Sequence, residues 1–305
     1  MIVDSHCHAG QGDGLTGPWD TDAPLGAYLR RAARAGIGRT VLFAAFNSDY
    51  RRANREVGRI VAARPDRFFG YAMVDAKRDA GRIRAMVTEA VTGWGACGIK
   101  LHRHDSRITR EVCEVAGSLE LPVLYDVMGE VATVDLAAQQ YEQVQFIVPH
   151  LGSFADDWRA QRQTIDLLAR APNVHADSSG IRRFDLLVEA VGRGGAHKLL
   201  FGTDGPWLHP GVELAKVRAL GLPRDQESLV LGGNWLRLTA AARARRDSGR
   251  RPGGPGPFMP AMAAGRLPRR WRPRPPAPVN GRGDPWAGDP FPDAGDAAPS
   301  RQNGS

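Results

Sequence analysis

Two histidines stand one residue apart near the start of the chain, in the segment MIVDSHCH. The apolar, partly β-branched run before them is typical of a buried strand. Side chains two residues apart on a strand point to the same side, so His6 and His8 would project together. Two such imidazoles can bind a divalent cation such as Zn²⁺, which takes three or four protein ligands. Taken alone, the pair is also compatible with two ordinary polar residues at a strand end.

Eight short apolar or β-branched runs follow one another along the chain, separated by helix-like segments whose apolar residues recur at spacings of three and four. The runs cover residues 1–8, 40–46, 67–75, 96–102, 122–127, 145–152, 173–180 and 198–206. This alternation is typical of a parallel sheet. Together with the length of this part of the 305-residue chain, about 240 residues, it predicts an α/β fold, the (β/α)8 TIM barrel. A doubly wound sheet is the competing architecture, but it more often has a glycine-rich turn after its first strand.

Polar groups that could bind a metal or a substrate recur at the carboxyl ends of six of these eight predicted strands. In chain order they are His6 and His8, Lys100 and His102, Asp126, His150, Asp177 to Ser179, and Asp204. The carboxyl ends of the strands are where barrel enzymes place their active sites. His150 and Asp204 can therefore complete a metal site with His6 and His8, and one coordination position of the metal could remain open for water.

The C-terminal segment 245–305 differs from the rest in composition, since it contains 13 of the 22 prolines. Its 11 arginines against 5 aspartates give a net charge of +6, and 30 basic against 28 acidic residues give +2 for residues 1–244. Such a segment cannot bury enough apolar surface to fold alone, so we predict a barrel domain over 1–244 and a disordered Arg/Pro/Gly-rich tail over 245–305. A passive extension is favoured over an arm that binds acidic partners, because aspartates interrupt the basic runs.

The rest of the composition narrows the class of protein. The nearly neutral barrel domain offers no electrostatic argument for a nucleic-acid partner. No apolar run reaches the ~18 residues needed to span a bilayer, and the N-terminus shows no signal-peptide pattern. Three cysteines fit a reducing cytoplasm better than a disulfide framework. We expect a cytoplasmic protein that binds a small-molecule substrate, with no membrane or nucleic-acid partner, and self-association stays open.

The sequence resembles the amidohydrolase superfamily, and more closely its amidohydrolase-related branch, which includes aminocarboxymuconate semialdehyde decarboxylase. The resemblance covers about residues 1–240 and is carried by the motifs VDSHCH, ARPDRFFGYAMVD, GIKLH, VPHLG, LLFGTDGPW and LGGNWLRL. It implies a barrel enzyme with a divalent metal, Zn²⁺ or Mn²⁺. The branch includes hydrolases and non-oxidative decarboxylases, so the resemblance does not choose the reaction.

The resemblance also implies roles for single residues. His6 and His8 match the family's first-strand metal ligands. Asp204 matches the carboxylate that binds metal and handles the proton of the attacking water. His150 matches a histidine that binds metal in some members and is catalytic or substrate-polarising in others. The family usually has a histidine at the end of the fifth strand, where this sequence has Asp126 in the run PVLYD. Asp126 is then either an unusual ligand or a residue that weakens metal binding.

The activity we expect is metal-assisted hydrolysis of a small ester, lactone or amide, with Asp204 accepting the proton of a metal-activated water. Lys100, His102 and Arg103 are the candidate substrate-binding residues. Some relatives carboxylate a lysine near position 100 to bridge two metals. For Lys100 we favour pairing with Asp126 or with a substrate carboxylate, because a buried lysine normally has a carboxylate partner.

Two other functions stay open. The first is decarboxylation on the same metal site. The second belongs to another class of protein, a non-catalytic barrel that binds a ligand at a degraded metal site. The aspartate at position 126, where the family usually has a histidine, is the observation that suggests it.

Overall fold

A computed structural model describes residues 1–15, 21–154 and 157–248 of the chain. The strands are β1 (Ile2–Gln11), β2 (Asp22–Ala23), β3 (Ile37–Ala44), β4 (Phe68–Gly70), β5 (Ala72–Val74), β6 (Ile99–His102), β7 (Val123–Asp126), β8 (Phe146–Val148), β9 (Val174–Asp177) and β10 (Leu199–Leu200). The α-helices are α1 (Leu25–Arg34), α2 (Tyr50–Ala63), α3 (Ile83–Trp94), α4 (Arg110–Ser118), α5 (Val131–Gln140), α6 (Trp158–Arg170), α7 (Phe184–Gly194), α8 (Pro210–Ala219), α9 (Arg224–Ser228), α10 (Asn234–Leu238) and α11 (Ala240–Asp247).

The boundary predicted at residue 244 falls inside a helix, because α11 continues to Asp247. The remainder of the predicted disordered tail, from residue 249 onward, lies outside the described residues. Within the described part of the chain, no helix is both long and apolar enough to cross a membrane.

The strands form two parallel sheets that follow chain order. One contains β1, β3 and β4, with the short β2 paired antiparallel to the end of β1, and the other runs from β5 to β10. Tyr71 lies between β4 and β5, and its N–H donates to the carbonyl of Leu42 at 2.9 Å. The next residue, Ala72, donates instead to Gly98 at 2.9 Å. The strand predicted over 67–75 therefore forms one of the eight barrel strands, and its hydrogen-bonding partner changes at Tyr71.

The barrel closes between β1 and the segment that follows β10. Ser5 N–H donates to the carbonyl of Phe201 at 2.9 Å, and His8 N–H donates to the carbonyl of Gly205 at 2.6 Å. With this closure each of the eight barrel strands has a neighbour on both sides, which confirms the (β/α)8 barrel. The strands are buried almost without interruption, as expected when helices cover one face of the sheet and the barrel core the other.

A buried carboxylate fastens this closure. Asp4 Oδ1 accepts hydrogen bonds from the backbone N–H groups of His6 at 3.1 Å and Thr203 at 3.0 Å. Its Oδ2 accepts from the hydroxyls of Thr203, at 2.6 Å, and Tyr28. Burial raises the pKa of Asp4 to about 6, and the hydrogen bonds oppose that rise. Asp4 thus ties the strand that carries His6 to the segment that carries Asp204.

Replacing Asp4 by alanine is expected to lower the free energy of unfolding by about 3 kcal/mol, because buried donors at His6 and Thr203 would lose their acceptor. Urea unfolding followed by circular dichroism measures this change. The matched control is Asp66→Ala, since Asp66 is 63% exposed and pairs with Arg64 at the surface. That control should change the stability by less than about 0.5 kcal/mol. Equal stability of Asp4→Ala and the wild type would contradict the fastening role.

Candidate metal centre

Side chains from opposite ends of the sequence meet at the carboxyl end of the barrel. His6 Nε2 lies 3.2 Å from Asp204 Oδ1, and His8 Nε2 lies 3.7 Å from the same oxygen. The ligand atoms of these three residues all lie within 4.8 Å of one another. The His150 ring is centred 5.1 Å from the His6 ring, and His150 Nε2 lies 3.5 Å from Asp126 Oδ2. The structure therefore brings together all five residues predicted to hold a metal.

The backbone aims these side chains into the barrel mouth. His6 and His8 project together because they alternate along β1, with the buried Cys7 between them. His150 and Asp204 both have left-handed backbone conformations, with φ of 57° and 53°. Such conformations are costly for residues other than glycine and recur at functional sites.

The three histidines share one hydrogen-bonding arrangement. Each Nδ1 lies 2.7–3.0 Å from an oxygen acceptor. The acceptors are Asp177 Oδ2 for His6, the carbonyl of Ala44 for His8 and the carbonyl of Ser179 for His150. Nδ1–H is therefore the donor, and in the neutral ring the lone pair is left on Nε2. This is how proteins orient metal-binding imidazoles.

The groups that orient His6 and His150 lie on β9 and just after it, and the sequence analysis counted them among the strand-end polar groups without naming their partners. Asp177 accepts from His6 Nδ1 and also from the backbone N–H of His150 at 3.3 Å. Ser179 provides the carbonyl that orients His150. Their place at the end of a predicted strand was the only signal, because nothing in the sequence shows which histidine each would contact.

The spacing of the ligand atoms of His6, His8 and Asp204 fits one divalent cation, and Asp126 and His150 line the same cavity. Donors bound tetrahedrally at about 2.1 Å from a metal stand about 3.4 Å apart. The separations here are 3.2 Å and 3.7 Å from Asp204 Oδ1 to His6 and His8, and 3.5 Å from Asp126 Oδ2 to His150. The donor set of three imidazole nitrogens and two carboxylates is one that both zinc and manganese accept.

The charges around the imidazoles also suit a cation. Burial raises the pKa of Asp126, Asp177 and Asp204, but the nearby histidines outweigh it and hold all three pKa values below the usual range. Asp126 and Asp204 line the cavity and Asp177 contacts His6 beside it, whereas Lys100 is the only lysine lining the cavity among the described residues. A divalent cation would offset this excess of buried carboxylates.

The two first-strand imidazoles differ in their electrostatic environment. Burial alone would lower the pKa of His6, but the Asp177 carboxylate outweighs it and raises that pKa to about 9. A metal ion and a proton therefore compete for His6 Nε2. Burial dominates at His8 and holds its pKa well below the usual value, so His8 is neutral.

The ligand atoms open into a cavity of about 330 Å³. Its apolar wall consists of Phe46, Met128, Phe154, Trp207 and Leu208. A second cavity of about 350 Å³ lies between α2 and α3 on the outside of the barrel and is lined by none of the metal-site residues. The chemistry therefore belongs to the cavity at the barrel mouth.

Lys100 lies in this cavity but does not pair with Asp126. Its side chain is fully buried, and Nζ has no hydrogen-bond partner among the described residues. Nζ stands 5.0 Å from the centre of the Phe43 ring. Asp126 instead contacts His102, whose Nε2 lies 3.2 Å from its Oδ2. The expected Lys100–Asp126 pair is therefore not formed, because a histidine occupies the place beside the carboxylate.

Arg103 is not brought to the cavity. Its guanidinium pairs with Glu130 Oε1 at 2.6 Å, away from the residues that line the barrel mouth. Of the three candidate substrate-binding residues, the structure places Lys100 and His102 in the cavity wall.

Comparisons with known proteins agree with this architecture. Residues 3–245 match a family model described as amidohydrolase. No curated protein matches the sequence significantly. Among solved structures, 5-carboxyvanillate decarboxylase from Sphingomonas paucimobilis is 14% identical with a TM-score of 0.60, over 78% of this chain and 98% of that one.

Two further solved structures contain metal. An amidohydrolase from Burkholderia multivorans with bound zinc is 16% identical with a TM-score of 0.66, over 79% of this chain and 99% of that one. A dihydroxybenzoic acid decarboxylase from a Polaromonas species, with bound manganese and the inhibitor 2-nitroresorcinol, is 16% identical with a TM-score of 0.58, over 78% of this chain and 96% of that one. At these identities the likeness shows the shared barrel fold.

Purified protein dialysed against Zn²⁺ or Mn²⁺ is expected to retain about one equivalent of metal, and His6→Ala and His8→Ala are each expected to retain less than about a tenth. Mass spectrometry of the metal content measures this. His197→Ala is the control, because that half-buried histidine lies before β10 and outside the cavity. Metal-free wild-type protein after dialysis would contradict the site.

Proposed function

Because the chain belongs to the amidohydrolase family, we propose that it is a metal-dependent hydrolase of a small ester, lactone or amide that carries a carboxylate. The observation that carries this proposal is the position of Asp204. Its ionised carboxylate lies within 3.7 Å of two imidazole Nε2 atoms and also reaches the open cavity. A carboxylate so placed can bind a cation and exchange a proton with a water beside it.

The metal in this proposal is Zn²⁺ or Mn²⁺, held by His6, His8, His150 and Asp204 with Asp126. Relatives of the same fold contain each of these ions. Such a cation, when bound, lowers the pKa of water and polarises a carbonyl. The chain's own residues must then supply the proton transfers and the substrate contacts.

Asp204 is suited to the proton transfer because it is the most accessible of the five ligands. Its side chain is 14% exposed, whereas His6, His8, His150 and Asp126 are 1%, 4%, 4% and 6% exposed. In the proposed reaction Asp204 accepts the proton of the attacking water and returns it to the leaving oxygen or nitrogen. His150, whose Nδ1–H is donated to the Ser179 carbonyl, faces the same cavity with the lone pair of Nε2 and serves in this proposal as a metal ligand.

Lys100 supports the proposal that the substrate carries a carboxylate. Burial lowers the pKa of Lys100, and its Nζ has no hydrogen-bond partner among the described residues, so an anionic substrate group entering the cavity would stabilise the charged ammonium. The cavity is small for a ligand site, and Phe46 and Trp207 offer flat apolar surfaces. A compact ring compound such as a lactone acid fits this combination.

Decarboxylation is the second candidate, and the same lysine is the observation that favours it. A carboxylate held between Lys100 and the metal ligands is also the group that a decarboxylase would remove. Relatives of this fold include decarboxylases for 5-carboxyvanillate and dihydroxybenzoic acid. We keep hydrolysis as the main proposal because the accessible Asp204 is placed to take a proton from water. If neither activity is found, a non-catalytic ligand-binding barrel is the remaining explanation.

For the cellular location we propose the cytoplasm. Cys7, Cys97 and Cys113 are all buried free thiols. Free thiols persist in a reducing compartment.

A panel of carboxylate-bearing lactones, esters and amides, assayed with Zn²⁺ or Mn²⁺, is expected to reveal hydrolysis that chelation abolishes. Asp204→Asn should lower kcat by about 10² to 10⁴, because the water loses its proton acceptor. Its metal content is measured in parallel to separate ligand loss from loss of the base. Asp225→Asn, at an exposed position on α9, is the control and should leave kcat unchanged. Release of CO₂ from aromatic acids, without hydrolysis of any panel member, would favour the second candidate.

Lys100→Met is expected to raise KM about 10- to 100-fold for substrates that carry a carboxylate, since one charge-assisted hydrogen bond is lost. Matched substrates in which a methyl group replaces the carboxylate should show little change. Steady-state kinetics on the two substrate series measure the difference. An equal rise of KM in both series would contradict carboxylate binding by Lys100.

A further inference from the structure

His102 is oriented in the opposite way to the three ligand histidines. Its Nδ1 accepts a hydrogen bond from the backbone N–H of His104 at 3.0 Å. In the neutral ring the proton is then on Nε2, which lies 3.2 Å from Asp126 Oδ2. His102 is thus a hydrogen-bond donor to Asp126, while its Nε2 has no lone pair to offer a metal.

The other contacts of Asp126 show where its remaining lone pairs point. Oδ1 accepts from the backbone N–H of Met128 at 3.0 Å. Oδ2 lies between His102 Nε2 and His150 Nε2, at 3.2 Å and 3.5 Å. The proton of His150 is on Nδ1, where it is donated to the Ser179 carbonyl. Oδ2 and His150 Nε2 are therefore two acceptors facing each other, and a cation between them would relieve their repulsion.

We propose that His102 is a positioning residue that holds Asp126 in place as a metal ligand. Metal-binding histidines are commonly held by a carboxylate, as Asp177 holds His6 here. At Asp126 the two roles are exchanged, since the carboxylate binds the metal and the histidine donates to it. This inference rests on the proposed metal-dependent function. It explains how the site accommodates an aspartate at the end of β7.

The strand register sets the pair rigidly. His102 and Asp126 are directly facing residues at the ends of β6 and β7. The backbone N–H of Arg103 donates to the carbonyl of Asp126 at 2.8 Å, which extends the pairing by one residue. The Phe46 ring packs edge-on against the His102 ring, with centres 4.8 Å apart. The donor and the carboxylate are therefore held by a sheet and by packing, which favours a fixed role over an adaptable substrate contact.

Metal affinity of the full-length protein tests the inference. His102→Phe keeps a ring against Phe46 but has no donor, and it is expected to weaken the Kd for Zn²⁺ or Mn²⁺ by about 10- to 100-fold. His102→Gln, which places an amide N–H near the same position, should restore most of the affinity. His104→Phe is the matched control, because it retains the backbone N–H that donates to His102 and keeps an aromatic ring edge-on to His102 and Phe46. Competition with a chelator measures each Kd.

A double-mutant cycle separates positioning from independent ligation. Asp126→Ala should weaken metal binding, and adding His102→Phe to it should cause no further loss, because His102 acts through Asp126. A wild-type Kd in His102→Phe would overturn the inference, and so would additive losses in the double variant.

The ring tautomer gives a second measurement, which is independent of turnover and of metal affinity. Imidazole ¹⁵N spectra of the metal-free protein should show neutral His102 protonated on Nε2, whereas an Nδ1-protonated ring would overturn the inference. The failures of the two proposals can be told apart. Absence of hydrolysis with the expected Kd pattern rejects the proposed reaction alone, and absence of metal binding in the wild type rejects both.

Discussion

The closing contact of the barrel is the constraint on which the candidate metal centre depends. His6 and His8 belong to the first strand, and Asp204 follows the last, so their ligand atoms meet only when the two strands lie side by side. Hydrogen bonds of the backbone form this contact, and the buried Asp4 fastens it through Thr203. A buried carboxylate with four donors is satisfied only in the folded arrangement, so the fold and the site are specified together.

Within that frame, hydrogen bonds to the far side of each ring decide what each histidine can do. An acceptor at Nδ1 leaves Nε2 of His6, His8 and His150 available to a cation, whereas a donor at Nδ1 makes His102 a donor itself. The same side chain thus takes two opposite roles within one cavity. The surplus of buried carboxylates over the single Lys100 then favours a divalent cation at the point where the lone pairs converge.

The candidate ligand set could be predicted from the sequence because it depends on local facts. A strand alternates its side chains, parallel strands end at one edge, and five ligand-type residues occupied that edge. The contacts of Asp177 and Ser179 with the histidines were not predicted. His102 and Arg103 were candidates for substrate binding, but His102 lies beside Asp126 and the Arg103 guanidinium pairs with Glu130. The partner of a side chain depends on rotamers and on the direction of the loops, which no residue spacing encodes.

The sequence by itself determined the number of barrel strands, their order and the residue types at their ends, since hydrophobic periodicity and chain order suffice for these. Only the tertiary structure decided that one barrel strand changes its hydrogen-bonding partner at Tyr71 and that Lys100 does not pair with Asp126. It also decided that Asp126 lies between two histidines of opposite tautomer. The physical reason is that hydrogen bonds and buried charges act over about 3 Å between residues far apart in the chain. Their pairing exists only after the barrel has closed.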